Sequence, residues 1–189
     1  MKKYELLKDD TIEVAGKTLF RIKALISFKD IRKGEIGGYV EAERNLSQSG
    51  NAWVTGNAWV CDDAWVSGNA WVTGNAWVSG NARVTGNARV SDNAWVSGNA
   101  CVTGNAWVCD DAWVSGNAWV ETSNDYIVFK NNWSSFRWFT YTKSNKMWRV
   151  GCFYGTGDEL IKEAYADSEE SGRKYELYVN LVKELYRDE

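Results

Sequence analysis

The chain has 189 residues, a mass of 21.4 kDa and a formal charge of −3, which suits one compact domain or a solenoid with a small appendage. It contains no histidine, and its four cysteines lack metal-type spacing, which excludes Cys/His metal sites and His-dependent nucleophiles. No apolar run approaches the roughly 18 residues of a membrane helix, and the charged N-terminus does not resemble a signal peptide, so we expect a reduced, cytoplasmic setting.

Residues 1–48 are predicted to form an N-terminal hairpin and a capping coil. Thr11–Val14 and Thr18–Ile22 are typical strand segments, rich in β-branched residues. They flank the turn Ala15-Gly16-Lys17, whose glycine suits a tight reversal. The sequence therefore predicts an antiparallel pair at the start of the chain.

The segment that follows resembles a degenerate first repeat of the run described next. Within residues 34–40, Gly38 stands where the later units have alanine, and Val40 stands where they have valine. Atypical terminal repeats are expected because the end of a solenoid must be capped. Leu46 and Val54 are eight residues apart, so we expect a loop or bulge between them.

Twelve copies of one six-residue unit run without interruption from Ser49 to Val120, and residues 49–120 are assigned to one repeat domain. Six of the twelve copies read Ser/Thr-Gly-Asn-Ala-Trp-Val, and the other six differ from it at one to three places. Alanine and valine keep their places in every copy, whereas the residue between them is tryptophan in nine copies and otherwise Arg83, Arg89 or Cys101. A strict six-residue period indicates a β-helix.

The chemistry of the unit favours the same fold. Ala-Trp-Val alternates as a strand does, so alanine and valine face one side and tryptophan the other. Gly and Asn tolerate the positive φ of a tight corner. Three units then close a triangular 18-residue coil that stacks on the next at about 4.8 Å.

The run resembles the hexapeptide-repeat superfamily, in which an aliphatic residue recurs at every sixth position with a small residue two before it. The matching residues are Val54, Val60, Val66 and onward, preceded by Ala52, Ala58 and Ala64. The resemblance implies a mainly-β, left-handed parallel β-helix of about four to five coils.

Residues 18 apart are predicted to form three outward columns, one of which is entirely tryptophan. Nine outward indoles exceed the few hundred Å² of apolar patch that a soluble monomer usually exposes. Either the cap or a partner chain covers them, or tryptophan merely decorates the sheet. We expect a homo-oligomer, and the resemblance implies a parallel trimer. Its predicted interface is the column Trp59, Trp77, Trp95 and Trp113.

Two arginines interrupt the other columns. Arg89 falls between Trp71 and Trp107, which suits cation–π contacts, and Arg83 takes the same place on a neighbouring face. They either solubilise the middle of the rod or grip a flat anionic ligand.

Asp92 and Asp110 are also 18 apart, so they are predicted to stack as neighbouring carboxylates about 5 Å apart. Such a pair either is a solvated corner or recruits a cation. The solvated corner is favoured, and no metal ligand is assigned.

Residues 121–189 are predicted to form an α+β cap with three strands and two helices. The strand segments are Tyr126–Lys130, Phe136–Lys143 and Met147–Cys152. Asp158 is the expected N-cap of the first helix, and Ser171-Gly172 is expected to separate the two helices.

Residues 126–152 combine basic charge with interleaved aromatics, which suits nucleotides or single strands. The alternative is that the aromatics form the core of the cap and that the acidic helices neutralise the sheet. Net negative charge disfavours long nucleic acid. The candidate ligand-binding residues are Arg83, Arg89, Arg137, Lys143, Lys146, Trp148 and Arg149.

The whole chain also resembles a group of uncharacterised hexapeptide-repeat proteins of bacterial and phage genomes, which implies a bacterial cytoplasm. The residues that carry this resemblance are Tyr4-Glu5-Leu6, Thr18–Ile22, Gly34–Val40 and Gly151–Thr156. The superfamily includes acyltransferases with a histidine base and carbonic anhydrases with three metal-binding histidines. Because this chain has no histidine, we expect a non-enzymatic protein without a cofactor.

Two functions remain open. In the first, the protein is a homo-oligomer that binds or sequesters a small anionic, nucleotide-like ligand, in a phage or prophage setting. In the second, it is a structural scaffold whose rigid rod and cap engage another protein. A degenerate acyltransferase is the residual alternative.

Overall fold

A computed structural model describes residues 2–187 as a parallel β-solenoid of about five turns that is closed by a different segment at each end. Strands β1 (Tyr4–Val14) and β2 (Lys17–Ala24) pair antiparallel across the predicted turn, so the N-terminal hairpin is confirmed. Strand β3 (Ile36–Val40) continues this sheet and joins it to one face of the solenoid. The left hand of the solenoid stays a prediction.

Each repeat contributes one two-residue strand. Strands β4 to β15 are Trp53–Val54, Trp59–Val60, Trp65–Val66, Trp71–Val72, Trp77–Val78, Arg83–Val84, Arg89–Val90, Trp95–Val96, Cys101–Val102, Trp107–Val108, Trp113–Val114 and Trp119–Val120. They form three parallel sheets with the orders β4-β7-β10-β13, β5-β8-β11-β14 and β6-β9-β12-β15. The 18-residue columns predicted from the repeat are therefore confirmed.

The inward row forms a continuous core. Every repeat alanine and valine from Ala52 to Val120 is at most 1% exposed. Backbone bonds join consecutive coils throughout, as from Trp59 N to Ala76 O at 3.0 Å. At the corners, asparagine side chains 18 apart bond one another, as in the 2.8 Å bond from Asn51 Nδ2 to Asn69 Oδ1. Core, backbone and amide ladders thus repeat with one period and support one another.

The corners need a left-handed residue, and the chain supplies glycine or aspartate there. Gly56 has φ 68°, and Asp62 occupies the equivalent corner with φ 60°. A side chain at Gly74 would meet the backbone of Asp92 at 2.8 Å, so this corner also needs glycine for space. Aspartate tolerates this conformation better than most residues, which explains why it alone alternates with glycine at this place.

The degenerate first repeat is confirmed as a coil of the solenoid. Strand β3 pairs parallel with β5, so that Tyr39 lies beside Trp59 and Val40 beside Val60. These partners are 20 residues apart rather than 18. The two additional residues lie between Leu46 and Val54, because Leu46 bridges to Val66 with the same offset. The phase slip predicted there is therefore observed.

The N-terminal segment closes the upper end. Trp53 is fully buried, and its indole packs edge-on against Tyr4 and Phe28, with ring centroids 6.3 and 5.4 Å away. Lys3 is 2% exposed, and its ammonium donates to the free carbonyl of Ala52 at 2.9 Å. An amine thus saturates a backbone acceptor that has no coil above it.

The C-terminal cap is a four-stranded antiparallel sheet covered by two helices. The strands are β16 (Tyr126–Lys130), β17 (Trp138–Thr142), β18 (Met147–Val150) and β19 (Phe153–Gly155), and the helices are α1 (Gly157–Asp167) and α2 (Glu169–Leu185). The fourth strand adds to the three that were predicted, because Gly151 takes φ 57° and reverses the chain. The cap core contains Phe139, Tyr141, Trp148, Tyr175 and Val179.

Two helix boundaries differ from the prediction. The N-cap of α1 is Thr156, not Asp158, because Thr156 forms a reciprocal capping box with Glu159. The break between the helices lies at Ser168, and Gly172 is inside α2. A side chain at Gly172 would meet the Tyr165 ring at 2.2 Å, so this glycine allows α1 and α2 to approach closely rather than ending a helix.

Side-chain hydroxyls of the cap close the lower end of the solenoid. The last coil has no coil beneath it, so its backbone N–H groups would lack acceptors. The bonds are Trp107 N to Ser123 Oγ at 3.2 Å, Trp113 N to Thr140 Oγ1 at 2.9 Å and Trp119 N to Ser144 Oγ at 2.7 Å. Neither helix described for residues 2–187 combines the length and apolar character that crossing a bilayer requires.

Candidate functional site

The predicted interface column is a stack of indoles. Trp59, Trp77, Trp95 and Trp113 lie above one another with ring centroids 3.9 to 4.0 Å apart. The interplanar angle falls from 27° at the upper pair to 7° at the lower pair. The rings cover one another's faces, so each tryptophan is partly buried within the single chain. The surface they present consists mainly of ring edges.

An arginine covers the lower end of this column, and a second arginine covers Tyr39, whose strand pairs with that of Trp59. The Arg149 guanidinium lies over the Trp113 ring at 3.6 Å, and partial burial lowers its pKa. At the upper end, Arg21 lies over the Tyr39 ring at 4.2 Å and bonds the Tyr39 hydroxyl. Cation–π contacts thus cover Trp113 at the lower end of the column and Tyr39 beside its upper end.

Serine hydroxyls at the first position of the repeat accept hydrogen bonds from indole N–H groups. The indole N–H of Trp113 donates to Ser97 Oγ at 3.1 Å, and that of Trp107 donates to Ser91 Oγ at 2.9 Å. Each acceptor lies one coil above, 16 residues earlier in the chain. These serines therefore orient Trp107 and Trp113, whereas the Trp71 indole N–H has no hydrogen-bond partner among residues 2–187.

The column interrupted by Arg89 contains a cleft with two cations. Lys29 projects from the N-terminal segment, and its ammonium lies 5.1 Å from the centre of the Trp71 ring. Two adjoining cavities of about 230 and 450 Å³ share Lys29, Arg89 and Trp107. We call this region the Arg89 cleft. Its walls are Trp71, Thr73 and Ser91 on one side, Asn69, Asn87 and Asn105 on the other, and Asp30 at the margin.

The cation–π contacts expected for Arg89 are absent among residues 2–187. The cation over Trp71 is Lys29, and the Arg89 side chain is exposed. Arg83 is exposed on a different sheet, between Trp65 and Cys101. The two arginines therefore occupy different faces of the solenoid and cannot converge on one small ligand.

The predicted cap residues divide between the two sides of the sheet. Trp148 is 2% exposed and belongs to the cap core, whereas its neighbour Arg149 faces the solenoid. Lys146 and Trp148 help to line a cavity of about 220 Å³ between the sheet and α2. Lys143 lies 4.8 Å from the centre of the Tyr186 ring, which also lines this cavity. Arg137 lies in the exposed loop before β17, near Gly151.

The structure brings Asp92 and Asp110 together, as predicted, with Cys109 beside them. Ligand atoms of the three residues lie within 4.8 Å of one another. Ser91 Oγ donates to Asp92 at 2.7 Å, and Cys109 Sγ donates to Asp110 at 3.1 Å. Burial, followed by the bond to Asp110, raises the pKa of the Cys109 thiol, so the cysteine acts as a hydrogen-bond donor here.

At a second acidic corner, a lysine side chain already pairs with the carboxylates. Lys17 forms ion pairs with Glu41, at 3.4 Å, and with Asp62. Burial raises the pKa of the adjacent Cys61 thiol, an effect that the Trp77 indole N–H and the Lys17 ammonium partly offset. This corner joins the N-terminal hairpin to the solenoid.

Sequence reasoning missed Lys29 and Arg21. Both lie outside the repeats, in segments whose contacts follow no period. The only sequence signal was that basic residues are scattered through the first 48 residues. Their positions do not indicate which aromatic ring each cation contacts.

A comparison with protein-family models finds the YdcK β-solenoid repeat in four overlapping segments, at residues 64–80, 76–92, 82–98 and 94–110. No curated protein matches the chain. The matched segments lie inside the repeat domain, where the structure has three parallel sheets with an 18-residue coil. The protein is therefore a β-solenoid repeat protein with a different closure at each end.

Proposed function

We propose that the protein is a non-enzymatic scaffold in which a rigid β-solenoid holds a C-terminal cap at a set distance and orientation from the N-terminal segment. The observation that carries this proposal is the continuous registration of the ladders. Alanine and valine repeat every 18 residues without exception, and the backbone bonds between successive coils continue along the whole repeat domain. The absence of histidine from the sequence supports a role without acid–base catalysis.

We further propose that the scaffold is a homo-oligomer, most simply a trimer, which associates through the column of Trp59, Trp77, Trp95 and Trp113. The support is that all four indoles stay partly exposed in the single chain, even though the N-terminal hairpin packs against Trp59 and Arg149 of the cap lies over the Trp113 ring. Tryptophan is enriched at protein interfaces because it combines a large apolar area with a polar N–H group.

Light scattering tests this proposal with a substitution that the repeat itself tolerates. Trp77→Arg copies the natural units at Arg83 and Arg89, and Trp65→Arg is the matched control on another face. We expect the wild type at a multiple of 21.4 kDa, the Trp77→Arg variant as a monomer, and the control unchanged. A monomeric wild type whose tryptophan fluorescence is strongly quenched by solvent would contradict the proposal.

A second candidate is the binding or sequestration of a small anionic, nucleotide-like ligand. The cap cavity favours it, because Lys146 and Lys183 line this cavity together with Tyr141, Trp148 and Tyr186. Both lysines are exposed, but Lys183 is already paired with Asp158 at 2.9 Å, whereas Lys146 forms no ion pair among residues 2–187. A thermal-shift screen with nucleotides tests this function. A shift that Lys146→Ala removes would support the cap cavity, and no shift with any nucleotide would contradict it.

The proposed setting is the cytoplasm of a bacterial host, with a phage or prophage origin. The free cysteines at 61, 101, 109 and 152 and the resemblance to bacterial and phage hexapeptide-repeat proteins support it. Fractionation of the native host, with the protein tracked by antibody, tests the location.

A further inference from the structure

The Arg89 cleft has the form of a stacking column from which one ring has been removed. Trp71, Arg89 and Trp107 are successive members of one column, because β7, β10 and β13 are neighbouring strands. The indoles of Trp71 and Trp107 therefore start two strand spacings apart, about 9–10 Å. In the adjacent column the equivalent place holds Trp95, which stacks at 4.0 Å on both neighbours. The gap thus has the height of one planar ring.

Arg89 does not fill this gap. Its side chain is exposed, and among residues 2–187 its guanidinium contacts neither an indole nor a carboxylate. Trp107 is consequently 50% exposed, whereas the tryptophans of the continuous column are partly buried. The space between the rings opens onto the two adjoining cavities.

A rigid turn delivers the second cation. Phe28 and Ile31 bond each other through both backbone groups, at 3.0 and 2.9 Å; the Ile31 side chain lies in the solenoid core, and Phe28 packs against it. Lys29 lies at the tip of this turn with φ 45°, a left-handed conformation that glycine adopts more readily than lysine. Non-glycine residues in this region are concentrated at functional sites. The turn holds the Lys29 ammonium over the Trp71 ring.

The charge and hydrogen-bonding groups of the cleft define the ligand. Lys29 and Arg89 outnumber Asp30, so the cleft carries a net positive charge. Side-chain amides from three successive coils, which bond one another, form one wall. The hydroxyls of Thr73 and Ser91 form the other, and that of Ser91 already bonds Asp92 and the Trp107 indole. The cavity of about 450 Å³ falls within the range of small-ligand sites.

We propose that the Arg89 cleft binds a mononucleotide, with its base between the indoles of Trp71 and Trp107 and its phosphate at Arg89 and Lys29. Base–indole stacking and charge-assisted bonds to phosphate supply the affinity. This inference does not depend on the proposed scaffold role. It rests on the second candidate function, the binding of a nucleotide-like ligand, and it places that ligand on the solenoid rather than in the cap.

Titration calorimetry with the full chain tests the site with three probes: AMP, adenosine and inorganic phosphate. We expect a Kd for AMP on the order of 10–100 μM. Adenosine lacks the anion and phosphate lacks the ring, so each is expected to bind at least about tenfold more weakly. Equal affinity for either fragment, or no binding of AMP, overturns the proposal.

Variants locate the binding. Arg89→Trp fills the gap as in the neighbouring column, so it should abolish AMP binding while Tm stays equal or rises. Lys29→Ala should weaken binding about tenfold. Arg83→Trp is the matched control, since it makes the same exchange on another sheet, and it should leave the Kd unchanged. AMP binding that survives Arg89→Trp, or that Arg83→Trp removes, overturns the site. Loss of binding in Lys146→Ala instead assigns the ligand to the cap cavity.

Discussion

At the scale of single residues, the two ends of the solenoid are closed by complementary chemistry. The upper end leaves carbonyl groups without partners, and it receives the amine of Lys3. The lower end leaves N–H groups without partners, and it receives hydroxyls such as that of Thr140. An open sheet edge would otherwise pair with other chains, so these few side chains keep the rod from extending by end-to-end addition.

The buried Lys3 ammonium makes stability depend on pH. Burial lowers its pKa from 10.5 to about 8, so between these values the unfolded chain binds more protons than the folded one. The Lys3 contribution to stability is therefore constant below about pH 8, rises as the pH increases to 10.5 and is then constant. Denaturant unfolding at pH 7, 8, 9 and 10 should show wild type gaining about 1–3 kcal/mol relative to Lys3→Met. A difference that does not vary with pH would contradict this assignment.

Loss of one cap hydroxyl should be measurable. Thr140→Val keeps the shape of the side chain but leaves the Trp113 N–H buried without its acceptor at 2.9 Å. We expect a loss of about 1–3 kcal/mol in the free energy of unfolding, together with greater self-association at high concentration. Thr55→Val is the control, because the Thr55 hydroxyl bonds no side chain among residues 2–187, and it should change stability by less than about 0.5 kcal/mol.

At the scale of elements, the repeat strands were predictable and the cap only in part. Strand β16 has the predicted bounds because it is short, alternating and flanked by turn residues. The start of α1 and the break before α2 were predicted wrongly, because Asp158 and Gly172 have the residue types of a cap and a breaker. Packing decided otherwise: Gly172 is needed for the close contact with Tyr165.

The stacked column should act as one structural element. Trp95→Leu removes the ring that stacks on both Trp77 and Trp113, and we expect a loss of about 2–4 kcal/mol. The coupling between indoles should also weaken, which is measurable as a smaller exciton couplet in circular dichroism. Trp65→Leu is the control, because Trp65 is 42% exposed and adjoins Arg83 rather than another indole. Equal losses in both variants would show that stacking adds nothing beyond burial.

At the scale of the whole molecule, stability is a sum over neighbouring coils, because each coil contacts mainly the next. The N-terminal sheet and the cap then act as terminal units. The separation of the predicted ligand residues follows from this architecture. Positions six residues apart lie on different faces, so Arg83 and Arg89 diverge although they are neighbours in the repeat.

Deletion of one complete coil should be tolerated. Removing residues 79–96 joins Val78 to Ser97 and keeps every inward place in phase. We expect a cooperative unfolding transition at a lower Tm and a rod shorter by about 4.8 Å in small-angle scattering. Removing residues 79–93 instead deletes two and a half repeat units. The alanines and valines after the deletion would then face outward. That variant should not fold, and a native-like melting curve from it would contradict the periodic core.

The solenoid, its three columns, the first degenerate coil and the phase slip before Val54 were all predictable from the repeat, because each depends on a local alternation at a constant interval. The repeat did not predict which outward residues are covered: Trp53 by Phe28, Trp71 by Lys29 and Trp113 by Arg149. The covering residues come from the two segments that do not repeat. Their positions depend on how those segments fold against the rod, which no interval in the sequence encodes.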